Sequence, residues 1–340
     1  MLTATRTQEI INKNFNKRKA GLKTDTKSIF RTPQGISKKI IEKISKLKNE
    51  PKWMLDHRLK AYDIFLKKDL PKWGPDLSKI DFKKIYYYLK TLDTPKTTWD
   101  QIPREIKNTF ERIGVLESER KFLSGTGAQF ESEMIYHSIQ EKLKKQGVIF
   151  ESTDSALKNH PDLFRKYFGK VIPTTDNKFA ALNTAVWSGG TFIYIPKGIH
   201  IKLPLQGYFR INEENTGQFE RTLIIADKGS SVHYIEGCSA PVCSESSLHA
   251  AVVEIIAKKG AHVRYTTVQN WSNNVYNLVT KRAFAYENAE ILWIDCNLGS
   301  KTTMKYPSIF LMGKKAKGEV HSLVRAGKNQ NQDTGAKIIH

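Results

Sequence analysis

The chain has 340 residues, 39% of them apolar, with 55 lysines and arginines against 34 acidic residues and a net charge of +21. That length allows two or three domains around a sizeable core. No apolar run approaches the roughly 20 residues of a membrane helix, the polar start does not read as a signal peptide, and three cysteines make no disulfide framework, so a cytoplasmic or organelle-stromal location is expected.

Residues 1–100 hold 24 Lys and Arg against 11 Asp and Glu, which is +13 of the total. These lysines are scattered and no zinc finger, basic zipper or RNA-binding sheet motif accompanies them, so they read as a solvated surface. Residues 1–34 lack a sustained apolar period and are expected to form a flexible basic tail. A helical region, 35–123, follows. Ser37 is placed to cap a helix with Ile40, Ile41, Ile44 and Leu47 on one face, ended by Pro51. In a second helix Leu55, Leu59, Tyr62 and Leu66 recur at helical spacing, and a third runs from about Pro103 to Ile113, with Gly114 at its C-terminus.

Residues 124–179 read as an α/β connection: a helix around 130–146, a short strand Val148 to Phe150, and a helix ending near Gly169. Ser124-Gly125-Thr126-Gly127-Ala128 ahead of the first helix is a weak phosphate motif. It lacks the third glycine of a dinucleotide fingerprint, and Glu131 and Glu133 in the first helical turn would repel an anion. Beyond Pro173 strands are expected to dominate, at Val186, Phe192 to Ile195, Ile201 to Leu205 and Tyr208 to Ile211.

The last third repeats a strand-turn-strand unit: I-I-A-D-K-G-S-S-V-H-Y-I-E-G-C (224–238), I-I-A-K-K-G-A-H-V-R-Y-T-T-V-Q (255–269) and A-F-A-Y-E-N-A-E-I-L-W-I-D-C-N (283–297). Gly229, Gly260 and Asn288 are equivalent turn residues 31 and 28 apart, each a type that tolerates left-handed backbone. Val232, Val263 and Ile291 come three places later, and Tyr234, Tyr265 and Trp293 five places later, as inward columns of stacked coils. A looser copy, 309–324, continues the series. One repeat cannot bury its apolar face alone, and two-residue hairpin turns of the Asn-Gly kind, which an antiparallel sandwich would want, are missing between these strands. The fold class expected is therefore α+β: an N-terminal helical region followed by a parallel β-helix over 180–340.

Cys238 stands nine residues beyond Gly229, and Gln269 nine beyond Gly260, which predicts neighbouring side chains on adjacent coils. Trp271 shares the face of Gln269, and Arg210 and Asn212 share a face upstream. A lone cysteine is more often a small buried hydrophobe than a nucleophile, yet a nearby guanidinium would favour thiolate, the form that attacks sulfur and binds iron. Cys243 makes a C-x4-C pair with Cys238, followed by His249, but no second close pair completes a zinc set. Cys296 reads as packing, and His233, His262 and His321 as surface strand positions. No nucleophile elbow or serine-histidine-aspartate arrangement is present, so the chain is not expected to be an enzyme.

These motifs converge on a family. The segments N-E-P-K-W-M-L-D-H-R-L-K-A-Y (49–62), E-R-K-F-L-S-G-T-G-A-Q-F-E-S-E (119–133), F-A-A-L-N-T-A-V-W-S-G-G-T-F-I-Y-I-P-K-G (179–198), Q-F-E-R-T-L-I-I-A-D (218–227), T-T-V-Q-N-W (266–271), N-N-V-Y-N-L-V-T-K-R-A (273–283) and Q-D-T-G-A-K-I-I-H (332–340), with the Cys238 motif, closely resemble SufB, the scaffold subunit of the Suf iron-sulfur cluster assembly system. The resemblance runs from about residue 35 onward and implies a right-handed β-helix. It also implies a hetero-oligomer with the SufC ATPase and SufD, sulfur supplied by a cysteine desulfurase with its carrier, and delivery of a transient iron-sulfur cluster to apo-proteins, without nucleic acid or membrane. Reduced flavin is a further cofactor left open.

By motif match, Cys238 resembles the family's sulfur acceptor and cluster ligand, and Arg210, Asn212, Gln269, Trp271 and Lys281 resemble residues lining its sulfur path. On that reading Arg210 and Lys281 favour the thiolate, Asn212 and Gln269 hydrogen-bond the moving sulfur, and Trp271 walls out water. Family members continue beyond the Gly-Ala-Lys-Ile-Ile-His stretch of 335–340, through further coils, a second functional cysteine and a helical region that docks the ATPase. A C-terminally truncated chain is therefore expected, lacking that docking and prone to self-association through an uncapped coil. The alternatives are a basic nucleic-acid-binding protein, with affinity falling steeply with salt, and an architectural SufD-like solenoid without cluster chemistry.

Overall fold

The computed structural model describes residues 24, 28–93, 95–96, 98–112, 122–241, 243 and 245–340. Of the expected basic tail, 26 of 34 residues lie outside the described residues, as do Ile113 and Gly114 at the end of the third helix, while Phe30–Arg31 pairs with Leu89–Lys90. Among those described, helix Lys38–Lys48 starts where Ser37 accepts the Ile40 N–H and stops at Asn49, whose φ of 51° takes the left-handed cap conformation. Ile40, Ile41 and Ile44 are buried as the spacing predicts, but Leu47 is exposed.

Helix Lys52–Lys67 differs more. Its buried stripe is Met54, Arg58, Ala61 and Phe65, one position off the leucine stripe, and Leu66 is exposed. An ion pair sets that rotation. The Arg58 guanidinium donates to Glu50 at 2.6 and 2.8 Å and to the carbonyls of Ala185 and Trp187. Helix Arg104–Arg112 buries Ile106 and Phe110.

The helix expected around 130–146 is largely absent. Gly125–Phe130 and Glu133–Ile139 are antiparallel strands joined through Glu131 at φ 57°, and only Glu141–Lys145 is helical. Gly125–Phe130 also pairs in parallel with Leu205–Arg210, and a Cβ on Gly125 would meet the Ser138 carbonyl of the antiparallel partner at 2.9 Å and the Leu205 side chain at 3.0 Å. The glycine-rich stretch serves that strand contact, which removes the phosphate-loop reading. Strand Ile149–Ser152 and helices Thr153–Asn159 and Pro161–Tyr167 follow. Val186, expected in a strand, ends helix Lys178–Val186, capped by the Asn177 side chain. Ile201–Pro204 is irregular rather than a strand.

From there the chain winds into a parallel β-solenoid of about five turns with three sheets. One sheet stacks Leu205–Arg210, Ser231–Ser239, His262–Trp271, Glu290–Gly299 and Lys317–Arg325. The two others run through Arg221–Ala226, Val252–Ala257, Arg282–Ala285 and Ser308–Leu311, and through Ser247–His249, Val275–Val279, Thr302–Lys305 and Asn331–Thr334. The register is the one the repeats predict: Val232 opposes Val263 and then Ile291, and Tyr234 opposes Tyr265 and then Trp293. Gly229, Gly260 and Asn288 all have positive φ, as does Lys315 in the looser copy. At the N-terminal end antiparallel strands, Glu133–Ile139 and Ile149–Ser152, close two of the sheets.

Candidate functional site: a polar column inside the solenoid

Along each strand of the first sheet the inward residues grade from apolar to polar. Ser231–Ser239 turns Val232, Tyr234, Glu236 and Cys238 inward, and His262–Trp271 does the same with Val263, Tyr265, Thr267, Gln269 and Trp271. Cys238 lies opposite Gln269, as expected, with Phe209 on its other side and Asn297 beyond Gln269. Cys238 is 3% exposed and packs with Phe209, Ile211, Trp271 and Val275.

The facing wall supplies charge. Lys281 and Lys305, both fully buried, reach Asp295 at 3.1 and 2.8 Å. Lys305 also donates to Oε1 of Gln269 at 3.0 Å, which accepts from Asn277 as well at 2.8 Å. Asn277 in turn offers its Oδ1 to Nδ1 of His249 at 2.7 Å, and the other ring nitrogen of His249 is held by Glu220. The His249 ring lies 4.6 Å from that of Trp271. A continuous chain of side chains thus links Glu220 to Lys281 through Gln269. Two buried N–H donors in it, Nε2 of Gln269 and Nε1 of Trp271, meet no acceptor among the described residues.

Cys238 is held as a thiol. Burial pushes its pKa well up, and the carboxylates of Glu236 and Glu220 push the same way, outweighing the opposing pull of Lys281 and Lys305. Glu236 sits 3.7 Å from Sγ, accepts the Tyr265 hydroxyl at 2.7 Å, and is itself raised by burial. Desolvation brings Lys305 down to about 8, whereas Lys281 and Lys305 together hold the Asp295 carboxyl below the ordinary carboxylate range.

Arg210 and Asn212 do not join this cluster. Arg210 opposes Ser239, one place past Cys238, and strand alternation turns it to the other face, where Nη1 donates to Ser239 Oγ at 3.2 Å. The Asn212 amide exchanges hydrogen bonds with the Thr24 backbone at 2.8 and 2.9 Å. Counting nine from Gly198 reaches Gly207, and an irregular stretch ending at Pro204 advances the register by two, to Phe209. Either count leaves Arg210 with outward parity.

Beneath Arg210, the buried Glu131 carboxylate accepts the N–H groups of Asn212 and Glu213 at 2.9 and 2.8 Å, and burial raises its pKa to about 8. A carboxyl raised on folding stabilises fully below its unfolded value, near 4, and that contribution is lost as pH climbs through about 8. Glu131→Gln should flatten the decline in stability across that window, read as urea midpoints against pH. An unchanged slope would place the titration elsewhere.

Cys243 is half-buried near Arg210. Cys296 faces outward opposite the exposed Val268, so its reading as packing is corrected: inward parity belongs to Asp295 and Asn297. Both ring nitrogens of His249 are engaged, and no group of three metal-ligating side chains gathers among the described residues. Glu236, Thr267 and Asp295 were missed by the motif reading, although all three lie seven places past their turn residues and the same count that aligned Cys238 finds them. Lys305, His249 and Asn277 come from the other walls, where no repeat signals inward parity.

No described helix is long and apolar enough to cross a membrane. Residues 125–206 match the SufBD protein N-terminal region, and residues 209–340 match the SUF system FeS cluster assembly, SufBD core domain. An iron-sulfur cluster assembly SufBD family protein of Staphylococcus aureus strain MRSA252 is 59% identical over 322 residues, covering 95% of this chain and 69% of the relative. One of Staphylococcus epidermidis is 58% identical over the same shares. With a solenoid core, an N-terminal helical region and relatives at this identity, the chain belongs to the SufBD family of iron-sulfur cluster assembly proteins.

Proposed function

We propose that the chain acts as the SufB-type scaffold of this family, a non-catalytic cytoplasmic subunit that accepts sulfur at Cys238 and assembles a cluster as cargo for apo-proteins. The observation that carries the reading is Cys238 in register with Gln269 inside a polar column. Unpaired buried donors cost about 1–3 kcal/mol each, and those of Gln269 and Trp271 suit an anionic sulfur. In the proposed step the Cys238 sulfur attacks the outer sulfur of a donor persulfide. The donor S–S bond breaks, its thiolate leaves with the Cys238 proton, and the new persulfide stays on Cys238.

Lys281 and Lys305 would offset its charge, while Arg210 and Asn212 would brace the outer wall rather than touch sulfur. SufC would supply the ATP-driven opening that a buried thiol requires, SufD would complete the scaffold, and a desulfurase with its carrier would bring sulfur; reduced flavin is the reductant to test. Anaerobic reconstitution of wild type and Cys238→Ser, with sulfide and iron analysis, should show loading lost in the variant. Equal loading would favour the architectural SufD-like reading. In the resting chain Cys238 should also react with iodoacetamide far more slowly than Cys243 and Cys296, by peptide mapping, because it is buried and they are only half-buried.

A further inference from the structure

Each coil turns at a residue of positive φ, Gly198, Gly229, Gly260, Asn288 or Lys315, and the residue before it is Lys197, Lys228, Lys259, Glu287 or Lys314. Backbone bonds stack these turns in a line: Gly198 N–H on the Lys228 carbonyl, Gly229 on Lys259, Gly260 on Glu287 and Asn288 on Lys314, all at 2.9 Å. Side chains in such a column recur about every 4.8 Å. Like charges that close repel by about 1 kcal/mol per pair even in water. The turn itself asks only for positive φ at the following residue, so nothing in the backbone requires lysine here.

Beside the column, Lys166 and Lys258 border a groove of about 900 Å³ with an apolar floor. Tyr167 and Ile256 lie buried at its base, whereas Tyr286 is 39% and Met312 50% exposed. Lys259 is paired with Glu287 and Lys258 with Asp227, but Lys166, Lys228 and Lys314 have no carboxylate partner among the described residues. Cationic edge and open apolar floor together ask for an anion that also carries hydrocarbon.

We propose that this groove docks an acidic amphipathic segment of a partner protein, its carboxylates on the lysine column and its apolar side chains on Tyr286 and Met312. Glu287 stands inside the column and would repel a uniform phosphate backbone, whereas a protein segment can leave a gap there. The groove lies at the opposite end of strand Ser231–Ser239 from Cys238, roughly 25 Å away at about 3.3 Å per residue, so a docked partner would not touch the part of the coil that encloses Cys238.

Fluorescence anisotropy with a labelled synthetic peptide of glutamate and leucine at helical spacing tests this on the full chain. Lys228→Glu with Lys314→Glu should raise Kd about tenfold and Met312→Ala a few-fold, whereas Lys79→Glu with Lys84→Glu, exposed beside strand Ser247–His249, should change it less than about twofold. Thermal melts establish that each variant is folded. Equal weakening by the distant pair would overturn the proposal as non-specific charge, and an unaffected Met312→Ala would remove the floor. Displacement of the peptide by single-stranded DNA through the same lysines would overturn it in favour of nucleic acid.

Discussion

Asp295→Ala should destabilise the folded chain by about 3–5 kcal/mol, the scale for stranding a buried charge. Here two are stranded. Lys281 and Lys305 are both fully buried, Asp295 is the only carboxylate within ion-pair distance of either among the described residues, and Asn297 donates to it at 3.3 Å as well. Neither ammonium can swing to water past the sheets. Because the folded carboxyl is held below its unfolded value, its contribution is present above about pH 4 and fades as pH falls through the lower folded value. Urea unfolding of the variant checks this, and a loss under about 1 kcal/mol would mean that the lysines find solvent or each other's neighbours instead. A second change, Lys305→Met in the Asp295→Ala background, should restore part of the loss by removing one orphaned charge.

The other large effect belongs to Glu254, where the flanking helices meet the solenoid. Its carboxylate accepts N–H groups of Gly169, Val171 and Ile172 at 2.9 to 3.0 Å and the Arg221 guanidinium at 2.7 and 3.2 Å, all at zero exposure for the two charged side chains. Arg221 also lies 4.2 Å over the Phe168 ring. Glu254→Ala removes five acceptor contacts and leaves a guanidinium buried, so a loss of about 3–5 kcal/mol is expected. Hydrogen exchange gives the local readout: amides 169, 171 and 172 should lose protection before the sheet interior does. Protection that falls evenly over the molecule would instead mean that the contact supports the whole fold rather than this junction.

The sequence was most legible where the backbone repeats itself. Parallel coils copy the same alternation at a fixed step, so the Val232, Tyr234 and Cys238 columns could be counted from one turn residue to the next. Reading failed where a segment has no period of its own. Helix Lys178–Val186 is buried on eight of nine residues, so it shows no polar face to mark its turn. Gly125–Phe130 is a strand because Leu205–Arg210 lies beside it, a tertiary fact its glycines conceal. In the second helix, Arg58 wins the buried face from the leucines through Glu50, a charge pairing that hydrophobic spacing cannot anticipate. The chemistry was half visible: the thiol and its amide neighbour follow from the count, whereas the carboxylates that keep the thiol protonated sit at positions whose residue types looked unremarkable alone.

The antiparallel closure at the first coil gives the stack a beginning. Strand Glu133–Ile139 has its partner Gly125–Phe130 before the first coil is made, Ile149–Ser152 is already in place when its partner Thr191–Ile195 is synthesised, and every later coil finds its predecessor's edge about thirty residues upstream. Parallel pairing, ordinarily slow because distant strands must search for each other, becomes a series of short searches against a finished template. Direction of synthesis and direction of growth coincide, which spares the nascent chain the off-register pairings that a coil assembled without a starter would be free to make.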